Sequence, residues 1–203
     1  MNKYIPELIH GDFFDNWMKT YPKSVDLILV DPPYGILKRA GQVWDEPIDW
    51  IMAERIFAQL LSPRGRVIIF CDLKLLFLLA TQFKNHLTFK HIHIWNKPGG
   101  SCPNEHCPIF DVEYVACFHR SDAGVKNLTF NPWESGKIGK PYAKKNGQRS
   151  MKTKGGQKSE VSLNETGKRY SRTVIKAPGK PNMVLSERTK HPTQKPLSLM
   201  REL

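Results

Sequence analysis

A short apolar strand pattern and an abrupt stop follow each other in the run Val25-Asp-Leu-Ile-Leu-Val30-Asp31-Pro-Pro-Tyr-Gly35. Its first six residues are rich in aliphatic and β-branched side chains, which is typical of a fully buried strand. Asp31 and Pro32 each precede a proline, and this restricts both residues to extended conformations. The run therefore predicts a strand that ends in a stiff loop carrying the Asp31 carboxylate, the Pro32 carbonyl and the Tyr34 ring.

Helical and strand patterns alternate on the C-terminal side of this run. Apolar residues recur at helical spacing over residues 48–61, and the breaker cluster Ser62-Pro-Arg-Gly65 follows. The further segments are a buried strand at 67–71, a helix at 73–83 that is apolar on nearly all sides, and strands at 89–95 and 112–118. This order predicts the α/β class, with helices on the faces of a sheet.

The excess positive charge lies in the last two fifths of the chain. The 203 residues carry a net charge of +12; residues 1–124 hold 13 Lys and Arg against 14 Asp and Glu, and residues 125–203 hold 18 against 5. Trp133, Tyr142 and Tyr170 are interleaved with these cations, which favours a nucleic-acid partner over a merely solvated basic loop. Residues 143–169 have almost no apolar side chains, so we expect this segment to be mobile without a partner.

The rest of the composition excludes several classes of protein. Hydrophobic residues make up 40% and charged residues 25%, as in globular domains. No apolar run is long enough to span a bilayer and the N-terminus does not resemble a signal peptide, so we expect a cytoplasmic protein without a membrane partner. The sequence contains no nucleophile–base pair and no phosphate-binding loop, which disfavours hydrolases and kinases.

The cysteines do not form a disulfide framework. Cys71 and Cys117 lie in apolar runs and fit small buried positions. Cys102, His106 and Cys107 are close together, but they lack a second ligand pair for a tetrahedral site. No metal is therefore expected.

Two other polar features can be interpreted either as solvated side chains or as functional residues. His91 and His93 alternate on one face of a strand, where solvation at a sheet edge is the simplest expectation and metal binding the alternative. Lys97 lies in a loop near the expected active face. It either reaches a phosphate or is solvated.

The loop at residues 31–34 has the chemistry to hold the amine of a nucleobase. The Asp31 carboxylate and the Pro32 carbonyl are two acceptors for the two N–H groups of an exocyclic amine, and the Tyr34 ring can stack on the base. Ligands of α/β sheets bind outside the carboxyl ends of the strands, where this loop stands. An ordinary turn is the alternative.

The tetrapeptide Asp31-Pro-Pro-Tyr34 resembles the catalytic motif of the amino-group DNA methyltransferases, which form N6-methyladenine or N4-methylcytosine. Further segments follow the motif order of the β class of that family. Ile9-His-Gly-Asp12 resembles the loop whose acid contacts the adenosine part of S-adenosylmethionine, and His191-Pro-Thr-Gln-Lys-Pro196 resembles the motif beside the methionine end. The remaining similarities are Trp95–Pro98, Val112–Val115, and the basic segments 139–142 and 169–172, which are similar to the target-recognition region of phage-type members.

The resemblance implies a Rossmann-like methyltransferase sheet and assigns roles to individual residues. The implied catalytic residues are Asp31, Pro32, Pro33 and Tyr34. The implied contacts to the cofactor S-adenosylmethionine are Asp12, Asp31, Pro32, Thr193, Gln194 and Lys195. The implied contacts to double-stranded DNA are Lys140, Tyr142, Lys144, Lys145, Arg149, Lys152, Lys154, Arg169 and Arg172.

Three regions follow from the motifs and the charge. Residues 1–124 form the catalytic α/β region, residues 125–190 the basic target-recognition region, and residues 191–203 the start of the cofactor-side motif. In the family a glycine-rich cofactor loop follows that motif, and no G-x-G occurs in these 203 residues. We therefore expect an incomplete sheet with an unpaired apolar edge, and as partners a separate chain or segment that supplies the loop, or a second copy of the chain.

The resemblance implies a site-specific transfer of a methyl group to the N6 amine of a flipped adenine, in a phage or restriction-modification setting. Aspartate rather than serine at the first motif position favours adenine over cytosine N4. The alternatives are N4-cytosine methylation and an inactive, truncated remnant that only binds DNA. An RNA or protein-amide methyltransferase with an Asn-Pro-Pro-Tyr-like motif is disfavoured by Asp31 and by the long basic segment.

Overall fold

The computed structural model describes residues 6–35, 45–101, 105–131, 138–145, 161–180, 183–191 and 193–203. The strands are β1 (Val25–Val30), β2 (Leu61–Cys71), β3 (Leu87–Ser101), β4 (Phe110–Arg120), β5 (Tyr142–Lys145), β6 (Val161–Asn164) and β7 (Val174–Lys176). The α-helices are α1 (Phe13–Asn16), α2 (Trp50–Leu60), α3 (Leu73–Gln82) and α4 (Leu197–Glu202). Three 3₁₀ turns lie at Trp17–Lys19, Val125–Asn127 and Leu185–Glu187.

Five of the strands form one mixed sheet in the order β1-β2-β4-β3-β7. β1 runs parallel to β2, and β7 runs parallel to β3. β4 runs antiparallel to both of its neighbours, with Cys71 of β2 opposite Tyr114. The start of β4 therefore lies at the same edge of the sheet as the carboxyl ends of β1 and β2. This reversal brings a late segment of the chain to the end of the strand that carries Asp31.

The two faces of the sheet are covered by different helices. α2 and α3 pack on one face, where Phe57, Leu79 and Phe118 belong to one buried cluster. On the other face, Leu199 of α4 packs in a second cluster with Phe70. The predicted α/β class with helices on both faces is therefore confirmed.

Buried and capping carboxylates fix the helices on the first face. The side chains of Asp49 and Asp72 cap α2 and α3 by accepting backbone N–H bonds in the first turn of each helix. Oε1 of the buried Glu54 accepts backbone N–H bonds of 2.9–3.1 Å from the residues 85–87. This carboxylate ties α2 to the turn that begins β3.

The outer strand and helix α3 are less buried than their apolar patterns predict. β1 is half-exposed, with Leu27 at 48%, because it is the outermost strand of the described sheet. In α3 only Leu75 and Leu79 are buried, whereas Phe77 is 65% exposed. The expectations of a fully buried strand and of a helix buried on nearly all sides are wrong, because each element meets the core with one side only.

The breaker cluster at residues 62–65 follows the end of α2 but lies within strand β2 and does not interrupt it. The register of β1 against β2 shifts at this point, between Val25 and Leu27. Gly65 is buried there, and a Cβ atom at this position would lie 2.8 Å from the Val25 carbonyl oxygen. The close approach of two backbones explains a glycine inside the strand.

The two strand histidines pack against each other and are not simply solvated. Nε2 of His91 lies 3.1 Å from Nε2 of His93, and both side chains are half-buried. β3 is flanked by β4 and β7, so the expectation of a solvated sheet edge is wrong. Burial is the main reason that the pKa of His91 is lowered to about 4, with contributions from His93, Arg66 and Lys90.

Cys71 and Cys117 are buried, as the sequence predicts. Burial raises the pKa of the Cys71 thiol to about 12 and also raises that of Cys117. Cys102 lies outside the described residues. Over the described ranges, no group of three potential ligands is placed to hold a metal ion, and no helix is long and apolar enough to cross a bilayer.

The basic region contains a two-stranded pair, in which Tyr142 of β5 lies opposite Asn164 of β6. These strands lie near the two ends of residues 143–169, the segment that we expect to be mobile without a partner, and that expectation stays a prediction. The middle of that segment, residues 146–160, lies outside the described residues. Beyond this pair, β7 joins the main sheet, although it lies within the region 125–190.

Candidate active site

The loop after β1 is fixed by proline residues at its start and by a buried carboxylate at its end. Pro32 is buried, and Tyr34 is half-buried. Gly35 has a φ of +71°, a conformation that favours glycine, and its N–H donates a 2.9 Å bond to Oδ1 of Asp45. Asp45 is itself buried. These contacts hold the Asp31 and Tyr34 side chains on a preformed loop.

A cluster of four side chains, which we call the Asp31 cluster, forms around this loop: Asp31, Tyr34, Glu113 and Lys195. The Lys195 ammonium lies 2.9 Å from Oδ1 of Asp31 and 2.8 Å from Oε1 of Glu113. The Tyr34 hydroxyl donates a 2.8 Å hydrogen bond to the same Oε1 and lies 3.5 Å from Oδ1 of Asp31. One ammonium is thus shared between two carboxylates.

Aromatic rings and a second lysine complete the surroundings of the Asp31 cluster. The Lys195 ammonium lies 5.0, 5.6 and 5.9 Å from the ring centroids of Phe70, Tyr34 and Trp95, within the range of cation–π attraction. Lys97, which the sequence left between a phosphate contact and solvation, lies 3.5 Å from Oε2 of Glu113. Two carboxylates and two ammonium groups therefore balance each other, as groups withdrawn from water require.

The Tyr34 phenol stays protonated in this environment. Burial raises its pKa well above the usual value, and the nearby carboxylates of Glu113 and Asp31 raise it further. The hydroxyl is therefore a hydrogen-bond donor at neutral pH. The donated bond to Glu113 fixes the rotation of the ring.

Among the described residues, two cavities are lined in part by residues of the loop. The smaller, of about 310 Å³, is lined by Asp31, Val30, Leu29 and the aromatic side chains of Phe13, Phe14 and Phe57. The larger, of about 520 Å³, is lined by Pro33, Tyr34, Leu75, Leu78 and Asp72. Ile48 and Trp50 line both cavities. The Asp31–Tyr34 loop therefore contributes to the lining of two neighbouring cavities.

Asp12 lies next to the smaller cavity. It is the N-cap of α1, where its Oδ1 accepts a 2.7 Å bond from the backbone N–H of Phe14. Phe13 and Phe14 themselves line the cavity that contains Asp31. The structure thus brings the segment after Asp12 to the same cavity as Asp31.

The three residues expected on the cofactor side differ in their contacts. Lys195 belongs to the Asp31 cluster, whereas Gln194 braces its own loop: its amide accepts from Thr189 and donates a 2.6 Å bond to the carbonyl of Glu187. Thr193 is exposed, 3.5 Å from His191. Only Lys195 of the three contacts Asp31 among the contacts of the described residues.

In the basic region, Arg169 braces the loops around β5 and β6. Its guanidinium lies 4.4 Å from the Tyr142 ring centroid and donates to the carbonyl oxygens of Lys140 and Gly167 at 2.6 and 2.9 Å. Arg172 is exposed. Lys144 and Lys145 are residues of β5, and Trp133, Arg149, Lys152 and Lys154 lie outside the described residues.

Glu113 and Asp45 are site residues that the sequence reasoning missed. Glu113 interrupts the apolar run Val112-Glu-Tyr-Val115, and a charge inside a strand of this kind was a usable signal. Asp45 lies ten positions after Gly35 in a stretch without a clear pattern, so no local feature pointed to its contact with the loop.

The chain and its site match a known protein family. A family model described as "DNA methylase", for N6 and N4 methyltransferases, matches residues 25–203. The chain belongs to this DNA methylase family. The match contains the whole Asp31 cluster, so the predicted family is confirmed.

Solved structures support the fold. The M1.HpyAVI–SAM complex is 22% identical with a TM-score of 0.55, and the match covers 96% of this chain and 73% of that chain. Another structure of M1.HpyAVI is 20% identical with a TM-score of 0.49, and covers 95% and 70%. The first of these likenesses confirms the Rossmann-like α/β fold of this DNA methylase.

Proposed function

We propose that this DNA methylase transfers a methyl group from S-adenosylmethionine to the N6 amine of adenine in double-stranded DNA. The observation that carries the proposal is that residues of the Asp31–Tyr34 loop line two neighbouring cavities, which share Ile48 and Trp50. A methyl transfer needs two ligands side by side, with the reacting atoms close and aligned. The family supports DNA as the substrate.

The smaller cavity suits S-adenosylmethionine. Phe13, Phe14 and Phe57 offer aromatic surface to an adenine ring, and Asp31 lines the same cavity. Asp12 stands beside it and can accept hydrogen bonds from a ribose. The cofactor supplies a methyl group bound to a positively charged sulfur.

The larger cavity suits a target base that has left the duplex. Extruding a base costs a few kcal/mol, which stacking in a pocket offsets. The half-buried Tyr34 ring offers one stacking surface, and Pro33, Trp50 and Leu75 line the remaining apolar wall. In this position the amine would lie beside Asp31 and the Pro32 carbonyl.

In the transfer, a bond forms between the amine nitrogen and the methyl carbon while the bond from sulfur to that carbon breaks. The nitrogen then loses one proton to the solvent, and the sulfur leaves as the neutral thioether of S-adenosylhomocysteine. Asp31 accepts an N–H hydrogen bond that strengthens as positive charge develops on the nitrogen, which stabilises the transition state more than the bound base. The Tyr34 phenol remains neutral, and its ring holds the target base in place by stacking on it.

We further propose a division of the chain into working regions. Residues 1–124 carry the reaction, residues 125–190 contact DNA phosphates, and residues 191–203 bring Lys195 to the Asp31 cluster. Arg169 braces its own loop, so we assign the DNA contacts to the other cations of this region. The proposed phosphate contacts are Lys140, Lys144, Lys145, Arg149, Lys152, Lys154 and Arg172.

The test is methyl incorporation from labelled S-adenosylmethionine into double-stranded DNA, followed by digestion to nucleosides and their separation. We expect the label in N6-methyladenine. Asp26→Asn is a matched control for substitutions at Asp31. Asp26 lies on β1, the strand that precedes Asp31, but it bonds Ser62 away from the cavities. Label in N4-methylcytosine would overturn the base assignment, and unlabelled DNA would overturn the proposed activity.

A further inference from the structure

We propose that Glu113 is a positioning residue for the methyl transfer: it shares the Lys195 ammonium with Asp31 and so keeps Asp31 available as an acceptor for the target amine. This inference rests on the proposed function. It concerns a residue 82 positions after Asp31 whose carboxylate is brought to the site by the antiparallel strand β4.

The Lys195 ammonium lies at nearly the same distance from the two carboxylates. The Lys195 ammonium is 2.8 Å from Glu113 and 2.9 Å from Asp31. The side chains of Lys195 and Glu113 are only 10% and 13% exposed, whereas that of Asp31 is 34% exposed. The sheltered Glu113 is therefore a fixed anion at the back of the cluster, and Asp31 is the anion at its open side.

An ammonium paired with Asp31 alone would oppose the reaction in two ways. It would occupy a lone pair of the carboxylate that has to accept the amine N–H. Its positive charge would also repel the positive charge that develops on the nitrogen. The negative charge of Glu113 offsets both effects because it draws the same ammonium from the other side.

A second contact of Glu113 allows the effect of its charge to be tested separately from its support of Tyr34. Its Oε1 accepts the hydrogen bond of the Tyr34 hydroxyl. Glutamine at this position keeps an amide oxygen that can accept from Tyr34 and loses only the charge. Glu113→Gln therefore tests the charge and leaves the support of the stacking ring in place.

The experiment compares single-turnover methyl transfer by Glu113→Gln with that of the wild type. We expect the rate to fall by at least about tenfold, with S-adenosylmethionine and DNA affinities, measured by calorimetry and by fluorescence anisotropy, within about twofold. Glu54→Gln is the matched control: Glu54 is also a sheltered glutamate, but it bonds backbone N–H groups on the opposite face of the sheet. We expect this variant to keep the wild-type rate, and thermal melting verifies that both variants are folded.

A double variant distinguishes action through Lys195 from a general structural effect. If Glu113 acts on the ammonium, Glu113→Gln costs nothing more once Lys195→Met has removed it, so the double variant matches Lys195→Met. Multiplied losses in the double variant, or a wild-type rate in Glu113→Gln, would overturn the inference. A wild type that methylates no DNA would instead refute the proposed function, so the two failures are distinguishable.

Discussion

The hydroxyl of Tyr34 donates a 2.8 Å hydrogen bond to Glu113, although the two residues are 79 positions apart. The bond joins the loop after β1 to the start of β4 and sets the orientation of the ring that we assign to base stacking. Tyr34→Phe keeps the ring and loses this bond, at a cost of about 1 kcal/mol. We expect a rate loss of about five- to tenfold for Tyr34→Phe. Tyr34→Ala should lose much more, and equal rates for the two variants in a labelled-methyl assay would refute stacking.

Asp31→Ala should abolish most turnover and leave DNA binding nearly intact. The variant removes one acceptor from the reacting amine and no proposed phosphate contact, so the loss should be on the order of 10²-fold or more. Single-turnover rates and DNA titrations measure the two effects separately. Activity within a few-fold of the wild type would rule out the role of Asp31.

Neutralising five cations of the basic region, Lys144, Lys145, Arg149, Lys152 and Lys154, should weaken binding to all DNA sequences alike. The slope of log affinity against log salt should become less steep by up to about 0.9 for each DNA phosphate that the variant no longer neutralises. DNA titrations over a range of salt concentrations give this slope. The control is the same charge change in the first half of the chain: Lys19, Lys23, Arg55, Arg64 and Lys84. Equal slopes for both sets would contradict a specific role for the basic region.

The His91–His93 pair should make the fold sensitive to mild acid. The pKa of His91 is lowered to about 4 in the folded chain, so below about pH 6.5 the unfolded chain binds more protons than the folded one. Stability should therefore fall as the pH drops from about 6.5 towards 4. Thermal melting in this window should show a smaller decline for His91→Gln than for the wild type, and parallel declines would contradict it.

Gly65→Ala should destabilise the contact between β1 and β2. The added Cβ would lie 2.8 Å from both the Val25 carbonyl oxygen and Cδ2 of Leu61. Because the first of these atoms belongs to the backbone of β1, relieving the contact requires the strand to move. We expect a loss of about 1–3 kcal/mol in the free energy of unfolding, measured with urea. Gly124→Ala is the control, since its Cβ would meet only the Asn127 side chain.

Local patterns were sufficient to predict much of the fold. β-branched runs, helical spacing and proline stops located β1 to β4, α2 and α3, but not the short helix α1. The Asp31–Tyr34 loop stands at the end of β1. Local patterns do not report strand order, however. The half-exposure of β1 depends on its place at the margin of the described sheet, and nothing within Val25–Val30 encodes that place.

Like the fold, the candidate site was predictable only where it depends on residues that are close together in the sequence. Asp31 and Tyr34 lie only three positions apart, so the sequence alone indicates their chemistry. The contacts of Glu113 and Lys195 depend on the reversal of β4 and on the docking of α4, which are tertiary events. Spacing along the chain could suggest a role for Lys195 by motif but could not reveal that its ammonium joins two carboxylates.

The late position of Lys195 has a consequence for synthesis of the protein. A ribosome makes Asp31, Tyr34 and Glu113 long before it makes the lysine, and N-terminal parts of a chain begin to fold during translation. Until residues 191–203 emerge, the nascent sheet holds two neighbouring carboxylates without the cation between them. Docking of α4 then brings Lys195 between them, so the Asp31 cluster is completed only after a segment 82 positions beyond Glu113 has been made and has folded back onto the sheet.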